Sequence, residues 1–190
     1  MKQNKDDYSD VITWAQSMNI EADSDYMLFG CYDCSKKNLK CRLSLSEVEA
    51  VVTSQCESGA YVDKLFTEAS NKRLDENQPI CSVCSASICI SNQGNVYPCE
   101  GWQGYSVGSI LESSLLDIWR SSERVLMLRK LKLGDFPQCV SCDYIRYCSP
   151  CLYRNANENS GDFHKVSPYF CKVAELQKRV VEQEICKRNN

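Results

Sequence analysis

Cys139-Val140-Ser141-Cys142-Asp143-Tyr144-Ile145-Arg146-Tyr147-Cys148-Ser149-Pro150-Cys151 holds two cysteine pairs, each with two residues between its members and five residues between the pairs. Two intervening residues let both sulfurs of a pair turn toward one metal centre. No apolar period runs through Asp135 to Ser167, so this stretch has few sources of order other than what its thiols bind. A third such pair, Cys81 and Cys84, lies upstream, and lone Cys99 and Cys171 complete a set of eight. A cluster or ion of this kind takes four thiolates, so the count suits two complete sites.

The whole chain supports a metal reading. Fourteen cysteines stand in 190 residues against one histidine, His164, which leaves thiolates as nearly the only soft ligands. The other use of so many cysteines is an exported disulfide scaffold. Export is unsupported, because Asp6, Asp7, Asp10, Asp23 and Asp25 fall where a leader would need an apolar core. Iron-sulfur clusters and four-thiolate zinc both fit the composition. The five-residue gap is far shorter than the roughly fifteen to twenty residues between the halves of a zinc ribbon. A net charge of -3 with no basic stripe argues against nucleic acid, and no apolar run is long enough for a membrane span. The expectation is a soluble, cytoplasmic protein.

Asn77-Gln78-Pro79 interrupts the chain just before the dense cysteine region, and a domain boundary is expected there. Upstream, Tyr8, Val11, Ile12, Ala15 and Met18 have helical spacing, Tyr26 to Tyr32 reads as a buried strand, and Ser44 or Ser46 caps a helix through Val48, Val51 and Val52. This order resembles the end of a parallel α/β barrel. Downstream, Asn92-Gln93-Gly94-Asn95 predicts a hairpin between Ser87 to Ser91 and Val96 to Tyr97, ending at Pro98-Cys99. An amphipathic helix is expected from Ser113 or Ser114 to Gly134, and a last helix from about Lys172 to Lys187. The fold class is therefore α+β.

Cys81-x2-Cys84, then Ile90 to Cys99, then Val107-Gly108-Ser109-Ile110 with Leu115 to Trp119, resembles the SPASM domain of radical SAM enzymes. The Cys139 to Cys151 run followed by Tyr169-Phe170-Cys171 is similar to the second half of that domain's cysteine signature. The resemblance covers roughly residues 79 to 176. It implies three parts: residues 1–77 as the C-terminal remnant of a partial α/β barrel, 78–176 as a β-hairpin and helix domain organised by two iron-sulfur clusters, and 177–190 as a helical tail. By similarity to anaerobic sulfatase maturases and ribosomal-peptide maturases, Cys81, Cys84, Cys99 and Cys151 would hold one 4Fe4S cluster, and Cys139, Cys142, Cys148 and Cys171 a second. Ser149-Pro150 supplies two residues where many members of the family have three.

The resemblance further implies an enzyme that modifies a peptide or protein, with the clusters in electron transfer and structural roles. S-adenosylmethionine and a third cluster would enter only through a separate radical SAM core, because Cys31-x2-Cys34-x6-Cys41 lacks the required spacing of three and then two residues. The chain alone is thus expected to be inactive, with no catalytic residue of its own. Its partners would be that core, a peptide substrate, and a flavodoxin or ferredoxin as reductant. Few cations stand near the cysteines in sequence, which predicts low potentials. The alternatives are a zinc-stabilised interaction module and a stand-alone electron-transfer protein. Cys31, Cys34, Cys41, Cys56, Cys89, Cys186 and His164 receive no ligand role.

Overall fold

The computed structural model describes residues 1–22, 25–56 and 59–189. Helix α1 (Tyr8–Ser17) lies close to its expected bounds. Helix α2 (Leu45–Cys56) starts from a capping box: the Glu47 amide donates to Ser44 Oγ, and the Ser44 amide donates to the Glu47 carboxylate at 2.8 Å. Helix α3 (Ala60–Asn71) follows and has no counterpart in the sequence reading. Val62 and Ala69 are its buried residues, too sparse a pattern to stand out.

The expected buried strand from Tyr26 to Tyr32 is not one. This segment forms no ladder, and Tyr26 to Phe29 are only half-buried. Side chains satisfy its backbone instead. Asn38 Nδ2 donates to Phe29 O (2.8 Å), Arg42 Nε to Leu28 O (2.6 Å) and Asn157 Nδ2 to Gly30 O (3.1 Å). A strand needs a neighbour to take its amides, and none is alongside here. No barrel is therefore seen among the described residues.

The hairpin forms as expected, with β1 (Cys89–Ile90) antiparallel to β2 (Asn95–Tyr97) in the register Cys89 to Tyr97. Gly94 takes φ +80 in the turn. A third strand, β3 (Gly108–Ser109), pairs on the other side of β2. The long helix predicted from residue 113 is two. Ser114 caps α4 (Leu115–Ser121), extended backbone at Ser122 (ψ 120) breaks the helix, and α5 (Glu123–Lys130) resumes. Ser122 Oγ donates to Val107 O at 2.7 Å, and this side-chain bond competes with helix continuation. The 135–167 stretch, expected to be irregular, carries short α6 (Pro137–Val140), a 3-10 turn (Ile145–Tyr147) and α7 (Leu152–Glu158).

Helix α8 (Pro168–Arg188) runs without a break through the division expected at residue 177. Its Val173, Leu176, Val180 and Val181 pack with Leu43, Val48, Val52 and Val62, so what was expected as a tail closes the core of the N-terminal segment. A second core joins Val96, Trp102, Ile118, Val125, Leu128 and Phe136 with Leu152 and Ala156 of α7. Arg42 ties the two together. It pairs with the buried Glu158 of α7, which also accepts from Ser167 Oγ at 2.7 Å, and it stacks on the Tyr169 ring at 4.2 Å. No helix among the described residues is long and apolar enough to cross a membrane.

Candidate metal centre

The eight candidate cysteines arrive on separate short elements, and the strongest thiol-to-thiol repulsions divide them into two sets. In the first, Cys84 feels Cys81 and Cys99, Cys99 feels Cys151 and Cys81, and Cys151 feels Cys81. In the second, Cys139 feels Cys171 and Cys142, Cys148 feels Cys171, Cys139 and Cys142, and Cys171 feels Cys142. Thiols whose ionised forms would repel one another across a protein interior are near neighbours. Cys148 thus neighbours the second set and Cys151 the first, while Cys151 also lines a cavity with Cys139, Cys142, Cys148 and Cys171.

Each thiol of the first set is aimed by local backbone. Cys84 has φ +56, its amide donates to Ser87 O (2.8 Å), and its carbonyl accepts from Arg129 Nε (2.8 Å), so α5 holds the loop. Arg129 also donates to Trp119 O and lies 4.6 Å over the Trp119 ring. Cys99 follows β2 after Pro98; the Trp102 amide donates to its carbonyl at 3.1 Å, and the Gly101 amide lies toward its sulfur. Gly101 allows this turn, since a Cβ there would stand 2.7 Å from the Tyr153 ring. Cys151 precedes α7 and receives the Tyr153 and Arg154 amides, while the Leu152 and Val83 amides serve Cys81. In the second set, Cys139 lies in α6, Cys148 follows the 3-10 turn and Cys171 sits in the first turn of α8.

Burial is the first cause of every resolved thiol shift. It pushes Cys84, Cys99, Cys139 and Cys148 up to about 11, and raises Cys81, Cys151 and Cys171. Left empty, such thiols keep their protons at neutral pH, and an incoming metal displaces them. Four cations offset this cost: Arg129 beside Cys84, Arg154 beside Cys151, Lys72 beside Cys148 and Lys172 beside Cys171. The expectation of few nearby cations was wrong, because Arg129 and Lys72 reach their thiols across 45 and 76 residues of chain, judged by their bonds to the Cys84 and Cys148 carbonyls. No local sequence signal reveals such partners.

Two observations test the fit of a sulfur-rich cluster. Cys139, Cys142, Cys148, Cys151 and Cys171 line one small cavity of about 40 Å³ together with Ile145, Phe170 and Arg154. At that cavity Arg154 Nε is buried with no acceptor, although its guanidinium stacks over Phe170 at 5.2 Å. A buried donor without a partner is costly, and sulfur in the cavity would supply one. Soft thiolate donors in an apolar setting suit the same occupant. Among the described residues no three His, Cys, Asp or Glu side chains are close enough together to hold a single metal ion.

The cysteines without a ligand role lie apart. Cys56 is buried in the α2–α3–α8 core, where its thiol is raised by burial; Cys89 is half-buried on β1; and Cys186 is exposed on α8. His164 stacks on Phe136 at 5.4 Å and Phe163 at 4.6 Å. No curated protein and no solved structure matches the chain. Residues 81–152, which hold seven of the eight candidate cysteines and stop short of Cys171, match the family model of SPASM, an iron-sulfur cluster-binding domain.

Proposed function

We propose that this chain is the C-terminal part of a radical SAM enzyme that modifies a peptide or protein, and that it carries two 4Fe4S clusters. Cys81, Cys84, Cys99 and Cys151 would hold one, and Cys139, Cys142, Cys148 and Cys171 the other. The observations that carry this reading are the match of residues 81–152 to an iron-sulfur cluster-binding domain and the convergence of Cys139, Cys142, Cys148, Cys151 and Cys171 on one small cavity. When bound, the clusters supply one-electron transfer. Four protein thiolates per site leave no open position for a substrate, so relay and structural support are the roles on offer.

The chain's own residues set the terms of that relay. Amides at Cys81, Cys99 and Cys151 and the guanidiniums of Arg129 and Arg154 favour added negative charge at the first set. Trp102 is buried and stacks on Tyr105 at 5.0 Å, in the core against which Cys99 packs. S-adenosylmethionine, its cluster and the peptide would enter with a radical SAM core supplied outside these residues, and a flavodoxin or ferredoxin would deliver the electrons. Exposed Val11, Trp14 and Met18 on one face of α1 give such a core an apolar surface to cover.

The test is a pair of substitutions in anaerobically reconstituted protein. Cys99→Ala and Cys142→Ala should each remove about half of the iron, and the double variant nearly all of it. Full iron retention in either single variant would contradict the assignment.

A further inference from the structure

Cys31-Tyr32-Asp33-Cys34 is the one Cys-x2-Cys pair that the two thiol sets do not use. The Cys34 amide donates to Cys31 O (2.9 Å) and the Cys31 amide to Ser35 O (3.0 Å), which closes a tight hairpin turn from both ends. Cys34 takes φ +60, the left-handed position where glycine is the default. A non-glycine residue there is strained, and the same conformation recurs at Cys84 (φ +56), a candidate ligand.

A hydrogen-bonded turn keeps its first and last α-carbons within about 7 Å. A disulfide needs about 4.4 to 6.8 Å, so this turn can be bridged with little backbone movement. Both cysteines are part-exposed and Tyr32 between them is 61% exposed, so the turn can be reached from solvent. The Cys34 thiol now donates to Ala156 O at 3.6 Å. That carbonyl also accepts from the Gly161 amide (2.8 Å) and the Asn159 amide (3.2 Å), so the thiol can depart without leaving it unpaired. The turn also leans on the loop after Cys99: a Cβ on Gly104 would stand 2.1 Å from Tyr32 O.

We propose that Cys31 and Cys34 form a reversible dithiol–disulfide couple that exchanges with a low-molecular-weight disulfide, a redox site separate from the metal centre. The Cys31 thiolate, which has no carbonyl partner to leave, attacks one sulfur of the external disulfide, forms a mixed disulfide and releases one thiolate. Cys34 gives up its proton to solvent and attacks the Cys31 sulfur, expelling the second thiolate. Two thiols become one disulfide, and the electron pair goes to the external disulfide, which is reduced to two thiols. The couple borders both the loop that carries Cys99 and the helix that follows Cys151, so its state is felt beside the first thiol set.

The test uses the full chain, reconstituted anaerobically and equilibrated with mixtures of oxidised and reduced glutathione, then quenched in acid, alkylated and mapped by mass spectrometry. The expected result is a Cys31–Cys34 disulfide at least tenfold more abundant than any other cysteine pair, lost again in excess reduced glutathione, with iron content unchanged. Cys34→Gly suits the φ of +60 and keeps the turn; it should arrest Cys31 as a glutathione mixed disulfide. Independent glutathione adducts on both wild-type cysteines would overturn the proposal. So would a Cys31–Cys41 disulfide, or two unmodified thiols under conditions that modify exposed Cys186. Because the readout is a cysteine map, it stands whether or not the iron assignment holds.

Discussion

Arg42 and Glu158 form the ion pair on which the N-terminal segment depends. Both side chains are about nine-tenths buried (11% and 10% exposed), and Ser167, Leu28 and the Tyr169 ring complete their surroundings. Removing one partner leaves a buried charge uncompensated, at a cost of about 3–5 kcal/mol. Glu158→Ala should lower the unfolding free energy from urea titration by that amount, whereas Arg179→Ala, which breaks an exposed pair with Glu49, should change it by less than about 1 kcal/mol. Glu47 gives a pH signature. Its carboxyl is held down at about 2 by the Lys5 side chain, then by the Ser44 amide and hydroxyl. A depressed acid stabilises the fold above its unfolded value of about 4.5 and loses that effect as pH falls through the folded value. Glu47→Gln should therefore flatten the acid limb of the stability profile between about pH 4.5 and 2, measured by thermal melting, and leave the slope near pH 7 unchanged.

At the scale of elements, the two thiol sets differ in what faces the sulfurs. Backbone amides reach Cys81, Cys99 and Cys151, and two guanidiniums, Arg129 and Arg154, lie beside Cys84 and Cys151, whereas the second set has the two ammonium groups Lys72 and Lys172 beside Cys148 and Cys171. Hydrogen bonds to sulfur favour the reduced, more negative form. Potentiometric titration of the reconstituted protein should therefore show two separate one-electron steps, the higher one lost in Cys99→Ala and the lower one in Cys142→Ala. A single shared potential would contradict the contrast. Gly101→Ala should mimic Cys99→Ala in part, since its methyl would press on Tyr153 and push the Cys99 loop from α7. Much of this layout was legible in the sequence. The Gly94 hairpin, the Ser44 cap and the cysteine spacings are local signals, and local signals survive folding. The break at Ser122 and the missing strand at Tyr26 to Tyr32 were not legible. One is decided by Val107 and the other by Asn38, Arg42 and Asn157, all contributed from elsewhere in the fold.

For the whole molecule, two apolar cores share the chain, and only one contains candidate ligands. Cys81, Cys84, Cys99, Cys139 and Cys142 pack with the hairpin, α4 and α5, whereas α2, α3 and the second half of α8 close over Leu43, Val48, Val52 and Val181 without them. From sequence, metal loss would be expected to unfold most of the region after residue 78; the second core, which includes the α8 residues from Val173, limits this. Chelation should raise amide exchange across 135–167 and around Cys81 to Cys99, while α8 from Val173 to Val181 stays protected. Uniform exchange over the chain would show that the cores do not stand apart. The central claim concerns what the eight thiols hold, and it is tested by anaerobic reconstitution with iron and sulfide followed by iron, sulfide and zinc analysis with a visible spectrum. The account predicts about eight irons and eight sulfides per chain with broad absorption, as two 4Fe4S clusters require. About two zincs per chain with no visible absorption, even after reconstitution, would contradict it and leave a zinc-stabilised interaction module.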